Sequence, residues 1–591
     1  MSEKTIISMF FKKAEQLGNV PCFHYKEERE WKQLSWTEVS GLVRQYARGL
    51  IALGIETGMP VALMGRTHKE WTLLDCALLS IGAIVVPIYS NMSPNEVLFI
   101  LKDCGARAII VEDDSMRELV RHLHDDALPY DRVIQMEGGG ADVDVITLHA
   151  LVERGLSIEM SDLDSRMESV DASTVASYIY TSGTTGGQKG VVINHGNLIG
   201  EIDSIADAFD FGEGDICMVW LPQAHVLGRM AEFYLLTQGC QSAFAESIEK
   251  LARDYREVRP HFVVGVPRML EKAYERVVSV VERKPWIIKK IFAWSVRVGE
   301  AVVSLKKKQH KPSWWLRLKY ACAYAFVFRY VVERFGGRMR SVVTGGAPLS
   351  KDVASFFTAA GIQVLEGYGL TETFAAITAN RVDDFELGTV GKPLKGVEIR
   401  IANDGEILVR GPMVFSEYLN SPNHSRTAFE DGWFKTGDVG FISSDGFLSI
   451  TDRKKDLIIT AGGKNIAPQP IEVALGESPY IDTAVVCGDR HKYLVALITL
   501  NLEAVRDFAR VEGIVHADDD ELHGHPDVHA LIERVIAQKN ERFARFETIK
   551  RFAIVPGTMS SASGDLTPTL KVRRKHVIEK YSELIESLYD N

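Results

Sequence analysis

The sequence predicts an α/β protein in two parts. A large N-terminal domain, residues 1–454, carries two α/β layered sheets plus a small β-barrel-like subdomain, and a smaller α+β domain follows over residues 455–591. Three observations predict this. Helix-like and strand-like segments alternate over residues 1–170, the pattern of helices laid on a largely parallel sheet. Residues 388–451 lose the helical period, and Gly388–Pro393, Gly405–Gly411, Gly432–Gly440 and Asp445-Gly446 punctuate short strands. Asp452-Arg453-Lys454-Lys455-Asp456 is a short charged joint of the kind that separates domains. A chain of 591 residues is in any case too long for a single core.

In chain order, Trp36-Thr37-Glu38 opens a helical pattern that runs through Leu53. Val61–Met64, Ala83–Pro87 and Ala106–Val111 read as strands, and His68 and Cys76 as ordinary helix residues. Val175–Tyr180 is apolar and β-prone, a buried strand, and Val191-Val192-Ile193 is another. Between them lie the hydroxyls of Thr181, Ser182, Thr184 and Thr185, the glycines Gly183, Gly186, Gly187 and Gly190, and Lys189. Glycines let backbone N–H groups turn to a common point, hydroxyls add donors, and the lysine adds charge, which together suit a polyphosphate. The loop is not a Walker A motif, because Gln188 and Gly190 stand where glycine and Ser or Thr belong. A plain hairpin turn would need only a few residues.

Leu221-Pro222-Gln223-Ala224-His225 places a histidine where a strand ends, and its own neighbourhood asks for no more than a satisfied hydrogen bond. Residues 283–340 change character. Eleven Lys and Arg between Arg283 and Lys319 face only Glu300, and Trp286, Trp294, Trp314 and Trp315 are interleaved with them. Two readings stand: an interfacial surface whose rings sit at lipid-headgroup depth, or a basic helical hairpin that packs its tryptophans into the core. Ser341–Thr344 is a strand, Gly345-Gly346-Ala347-Pro348 a turn, and Ser350 the N-cap of a helix through Ala360. After a strand at Ile362–Leu365 comes a loop, Glu366-Gly367-Tyr368-Gly369-Leu370-Thr371-Glu372-Thr373. Two such loops at strand ends mark the place where open sheets bind nucleotides: Tyr368 could lie against a base, Thr371 could reach a phosphate and Glu372 could hold Mg²⁺. Asp438, in the turn Thr436-Gly437-Asp438, suits a ribose diol. The smaller domain has a helix after Pro468, strands near Thr483–Val486 and Leu494–Leu500, helices after Leu502 and His529, and a solvated acidic loop at Asp518–Glu521.

Composition narrows the class. A net charge of −11 argues against nucleic acid as the main partner. Seven scattered cysteines, without CxxC spacing, fit a reducing compartment and no structural zinc. No apolar run reaches the roughly 18 residues of a membrane span. The expectation is a cytoplasmic protein, with 283–340 offering a peripheral contact to the inner face of a membrane; the oligomeric state is left open between monomer and homodimer.

The phosphate loop resembles that of the adenylate-forming superfamily, which includes acyl-CoA synthetases, luciferases and adenylation domains. That loop usually has proline where this chain has Gln188. Gly345–Leu349, Gly367–Thr373, Thr436–Asp438, Arg453–Asp456, Gly462–Glu472 and Leu566–Arg574 resemble further superfamily motifs in the same order. The insertion at 283–340 and Leu566-Thr567-Pro568-Thr569-Leu570-Lys571 make the chain similar to long-chain acyl-CoA synthetases. The resemblance implies ATP, Mg²⁺ and coenzyme A as cofactors and a fatty acid as substrate. It implies formation of acyl-AMP and pyrophosphate, then transfer to coenzyme A. Lys571, Thr371, Glu372 (through Mg²⁺) and His225 would be catalytic. Thr181–Gly186, Lys189, Gly346, Ala347, Pro348, Glu366–Gly369, Asp438, Arg453, Gly463 and Lys464 would bind the cofactors. A mobile C-terminal domain would swing about Lys455 and bring Gly463 and Lys464 to the thiol channel. Three alternatives stay open: an acyl-AMP ligase serving a carrier protein, a synthetase for medium-chain or other hydrophobic acids, and a silent lipid-binding relative.

Overall fold

The computed structural model describes residues 5–123, 132–138, 145–181, 188–308, 310–515, 518–560, 563–567 and 571–590. Two large sheets dominate. The seven-stranded sheet runs, in spatial order, Val145–Thr147, Arg132–Gln135, Ala108–Val111, Pro60–Gly65, Ile84–Tyr89, Val175–Thr181 and Lys189–Asn194. Its strands are parallel except the last, which pairs antiparallel with Val175–Thr181 in a register that sets Thr181 against Lys189. The nine-stranded sheet has a parallel centre built from Ser341–Thr344, Phe262–Gly265, Ile216–Val219 and Gln241–Phe244, with antiparallel strands at both edges.

Helices fill the space between the sheets. Trp36–Ala52 starts from a capping box in which Ser35 and Glu38 satisfy each other's backbone N–H groups. Val226–Gln238 is buried along almost its whole length. Phe23, Phe262 and Leu365 of one sheet and Leu63, Val85 and Ile193 of the other join one core with these helices, which fixes the sheets relative to each other. Within that core Arg229 donates to both carboxylate oxygens of Asp75, at 2.7 and 2.8 Å, and to Ser177 Oγ at 2.7 Å; Ser177 in turn donates to the carbonyl of Val85. The small subdomain is an antiparallel five-stranded sheet that includes Glu406–Arg410, Trp433–Ile442 and Leu448–Arg453.

From Ile458 onward the chain builds cores of its own around the strands Ile481–Cys487, Leu494–Leu500 and Ile549–Ile554. This C-terminal unit meets the rest through polar contacts. Arg268 reaches Asp482 at 2.5 Å, Ser350 donates to Glu477 at 2.7 Å, Arg573 meets Glu96 at 3.0 Å and Arg542 meets Asp352 at 3.5 Å. Arg283 pairs with Asp507.

Several local expectations change. Glu366–Leu370 is no loop: it continues a strand, Gln363–Leu370, because Ala375–Ala379 returns antiparallel beside it and takes its hydrogen bonds. Gly369 is required there, since a Cβ would sit 1.3 Å from the carbonyl oxygen of Ala375. Thr436–Asp438 lies inside the strand Trp433–Ile442, where Gly437 at φ +71° bulges the chain, and not in a turn. Ser350 holds the N-cap position but its hydroxyl goes to Glu477. Asp518–Glu521 is not a loop: Asp518 caps a short helix, Asp519–Gly524, and Arg506 pairs with Asp519 at its acidic first turn.

The insertion is helical, Trp286–Lys307 and Trp314–Ala323, followed by a π turn at Tyr324–Phe328. Its tryptophans divide. Trp294 is half-buried against the core, whereas Trp286, Trp314 and Trp315 are 63, 66 and 57% exposed. Among the described residues no helix is long and apolar enough to cross a membrane.

Candidate active site

The site forms where the seven-stranded sheet, the edge of the nine-stranded sheet and the small subdomain meet the C-terminal unit. Thr181 and Lys189 close the hairpin that carries the phosphate loop; Ser182, Gly183, Thr184, Thr185 and Gly186 lie outside the described residues. Gly346 (φ +82°), Ala347 and Pro348 are exposed on the turn after Ser341–Thr344, and a Cβ on Gly345 would come within 2.9 Å of the carbonyl oxygen of Gly367. That close approach brings the turn against the Glu366–Gly369 strand. Glu366 is buried, and burial pushes its carboxyl up to about 8 against the opposing bond from Gly388 N–H.

Tyr368 donates to Asp438 Oδ2 at 2.6 Å, and Arg453 Nε lies 3.3 Å from Asp438 Oδ1. Burial raises the Asp438 carboxyl; Arg453, Tyr368 and Lys571 pull the other way. A carboxylate held by a phenol and a guanidinium is oriented and still has lone pairs for a diol. Thr371 and Glu372 form a 3₁₀ turn directly after the strand. Glu372 accepts from Tyr418 Oη at 2.9 Å and has no ion pair among the described residues, and burial raises its carboxyl. A buried carboxylate oriented by a phenol, with cations near it but none in an ion pair among the described residues, fits a Mg²⁺ ligand. Lys189, whose ammonium is 5.2 Å from the Tyr418 ring centroid, is lowered by burial and by Lys455, with Glu372 opposing. Lys455 therefore lies close to the phosphate hairpin, in the turn after Leu448–Arg453.

Lys571 enters from the C-terminal unit, where Thr567 N–H donates to its carbonyl at 2.7 Å and its own N–H donates to Thr567 Oγ1 at 3.1 Å. Lys571 is an exposed residue, and desolvation of its amine together with the Arg453 charge lowers its pKa to about 8. Asp438 and Glu372 oppose that shift, so the lysine lies within electrostatic reach of both carboxylates. His225 is not at a strand end: it is the N-cap of Val226–Gln238, and its Nδ1 accepts from Leu227 N–H at 3.1 Å. Burial, then the charge of Lys571, lowers it to about 4, so its ring is neutral.

The structure thus brings together Lys189, Tyr368, Glu372, Asp438, Arg453, Lys571 and His225. It leaves Gly463 and Lys464 out: they lie on a hairpin of the C-terminal unit, with Lys464 over the Phe546 ring at 5.6 Å. Sequence reasoning missed Tyr418, which nothing in its local sequence distinguishes, and Arg229, whose partner Asp75 lies 154 residues earlier in the chain.

Known proteins agree with this architecture. The AMP-binding enzyme family matches residues 10–419, and its C-terminal domain family matches residues 455–591. The chain is 37% identical to the long-chain-fatty-acid–CoA ligase FadD15 of Mycobacterium tuberculosis over 95% of this chain and 93% of that protein. It is 30% identical to the long-chain-fatty-acid–CoA ligase ACSBG1 of Rattus norvegicus over 99% of this chain and 85% of that one. Among solved structures, the anthranilate CoA ligase AuaEII in complex with anthranoyl-AMP has the same fold, with TM-score 0.74, 18% identity and coverage of 99% and 98%. The chain belongs to the AMP-binding enzyme family, among the long-chain acyl-CoA synthetases of the adenylate-forming superfamily.

Proposed function

We propose that this protein activates a long-chain fatty acid with ATP to an acyl-adenylate and passes the acyl group to coenzyme A, releasing AMP and pyrophosphate. The observation that carries the reading is that Lys571 of the C-terminal unit lies within electrostatic reach of Glu372 and Asp438. A carboxylate is a poor electrophile, because its charge repels nucleophiles and oxide is a poor leaving group. Its attack on the α-phosphate of ATP removes both obstacles. Residues 1–454 act as the adenylation domain: Asp438 holds the ribose, Tyr368 backs the base, and Thr371, Lys189 and the hydroxyls before it take the phosphates. Glu372 would hold Mg²⁺, which supplies charge neutralisation on the phosphates when bound. Lys571 stabilises charge as it develops at the α-phosphate. Neutral His225 borders the acyl carboxylate without adding a charge that would pin it. For the second half-reaction residues 455–591 turn about Lys455, withdraw Lys571 and bring Gly463 and Lys464 to the thiol. Fatty-acid-dependent ATP–pyrophosphate exchange tests the first half and acyl-CoA formation the second. Exchange without acyl-CoA would instead make the protein an acyl-AMP ligase for another acceptor.

A second property rests on the insertion. We propose that Trp286–Lys307 and Trp314–Ala323 lie on an anionic bilayer surface, a reading supported by exposed Trp286, Ile287, Ile288, Trp314, Trp315 and Leu318 among exposed Lys289, Lys290, Lys311, Arg317 and Lys319. Lys306 and Lys307 turn to Gln363 and Glu386 instead, so the aromatic rings are the better target. Replacing Trp314 and Trp315 by serine is expected to remove about 3 kcal/mol of apolar burial, roughly a hundredfold in partitioning. Co-sedimentation with phosphatidylglycerol vesicles measures it. Unchanged sedimentation with a shifted chain-length preference would make the hairpin a gate over the acyl tunnel.

A further inference from the structure

The segment 415–420 runs between the two groups that would meet a bound triphosphate from opposite sides. Towards the phosphate hairpin, Leu419 N–H donates to the carbonyl of Gly190 at 2.7 Å, Val192 N–H to that of Glu417 at 3.1 Å, and Tyr418 bridges Val191. Towards the Thr371–Thr373 turn, Phe415 N–H donates to the carbonyl of Glu372 at 2.8 Å, and Tyr418 Oη to its carboxylate Oε1 at 2.9 Å. The face of the same tyrosine lies under the Lys189 ammonium, 5.2 Å from the ring centroid, while its neighbour Phe415 packs at 4.7 Å. Tyr418 is 9% exposed, so the ring has little room to swing.

We propose that Tyr418 is a positioning residue for adenylation, one side chain that sets both the carboxylate of Glu372 and the ammonium of Lys189. The inference rests on the ATP-binding reading above. A free glutamate turns about three bonds, and its carboxylate can present either oxygen. The phenol occupies Oε1 and leaves Oε2 for a cation. The ring face holds the lysine by cation–π attraction without neutralising it, as a carboxylate partner would. Phenylalanine keeps the face and loses the hydroxyl; leucine loses both. The two functions are therefore separable by mutation.

The test compares Tyr418→Phe and Tyr418→Leu with the wild-type chain, reading equilibrium binding of ATP calorimetrically with Mg²⁺ in excess of ATP and with chelator, beside the Mg²⁺ dependence of pyrophosphate exchange. Tyr418→Phe is expected to weaken ATP binding about tenfold in Mg²⁺ and hardly at all in chelator, and to raise the Mg²⁺ needed for half-maximal exchange. Tyr418→Leu is expected to weaken binding in chelator as well, because Lys189 loses its seat. Equal loss in Mg²⁺ and chelator for Tyr418→Phe, or no loss in either, overturns the assignment. If Tyr418→Leu does not fold, the phenylalanine variant alone decides. A wild-type chain that binds no ATP overturns the functional reading itself, which separates that failure from this one.

Discussion

Lys571→Ala is expected to slow acyl-adenylate formation by about 10²–10³, the usual cost of removing one donor aimed at developing charge. Thioesterification of supplied acyl-AMP is expected to continue, because the proposed turn about Lys455 withdraws the lysine before thiol attack. ATP–pyrophosphate exchange and acyl-CoA release from acyl-AMP measure the halves separately, and equal damage to both would remove Lys571 from its role. The lowered pKa gives a second signature. The amine loses its proton as pH rises through about 8, so the charge it offers the phosphate is present below that value and lost above it. The kcat/KM of adenylation, which reports the free enzyme, is expected to fall on that alkaline side. Lys571→Arg keeps its charge throughout, so whatever activity it retains is expected to show no such limb.

Arg229→Met is expected to cost about 3–5 kcal/mol of stability, because it strands the Asp75 carboxylate in the core. Both side chains are nearly inaccessible, at 1 and 2%, and three of the guanidinium's N–H groups are bonded to Asp75 and Ser177. Denaturant unfolding measures the loss. The double variant Asp75→Asn with Arg229→Met is expected to regain a substantial part, since no charge is then left buried alone. The pair joins the helix that His225 caps to the helix Lys69–Ser80, and the same guanidinium bonds Ser177 on the strand Val175–Thr181 that enters the phosphate loop. Its loss is therefore expected to reach nucleotide binding as well as stability.

The sequence made some of this legible and hid the rest for physical reasons. Val191-Val192-Ile193 stood out as a strand because a continuous β-branched run has few other readings, and Val175–Tyr180 because it is largely apolar and β-prone. Asp438, Glu372 and Lys571 stood out through their motifs, and the structure brings them together although 133 residues separate Asp438 from Lys571. Glu366–Leu370 was illegible as a strand because its glycines suggest a loop, and only Ala375–Ala379 alongside makes extension favourable. Local sequence could not foretell that Ser350 gives its hydroxyl to Glu477, since that partner arrives from another unit. Tyr418 is the extreme case: every contact that gives it meaning is tertiary.

The contacts between the C-terminal unit and the rest have a kinetic consequence. Arg268–Asp482, Arg283–Asp507, Arg542–Asp352 and Arg573–Glu96 are pairs with at least one partly exposed partner, the class worth about 0–1 kcal/mol each. A clasp of several shallow electrostatic contacts opens in small steps, each cheap and quickly remade, so turnover need not wait on breaking one deep contact. It is also sensitive to ionic strength, because the screening length shrinks from about 8 Å near 0.15 M to about 3 Å at 1 M. Salt is therefore expected to loosen the arrangement that places Lys571 near Glu372 and Asp438 and, on the proposed turn about Lys455, to shift the balance between the two half-reactions away from the first.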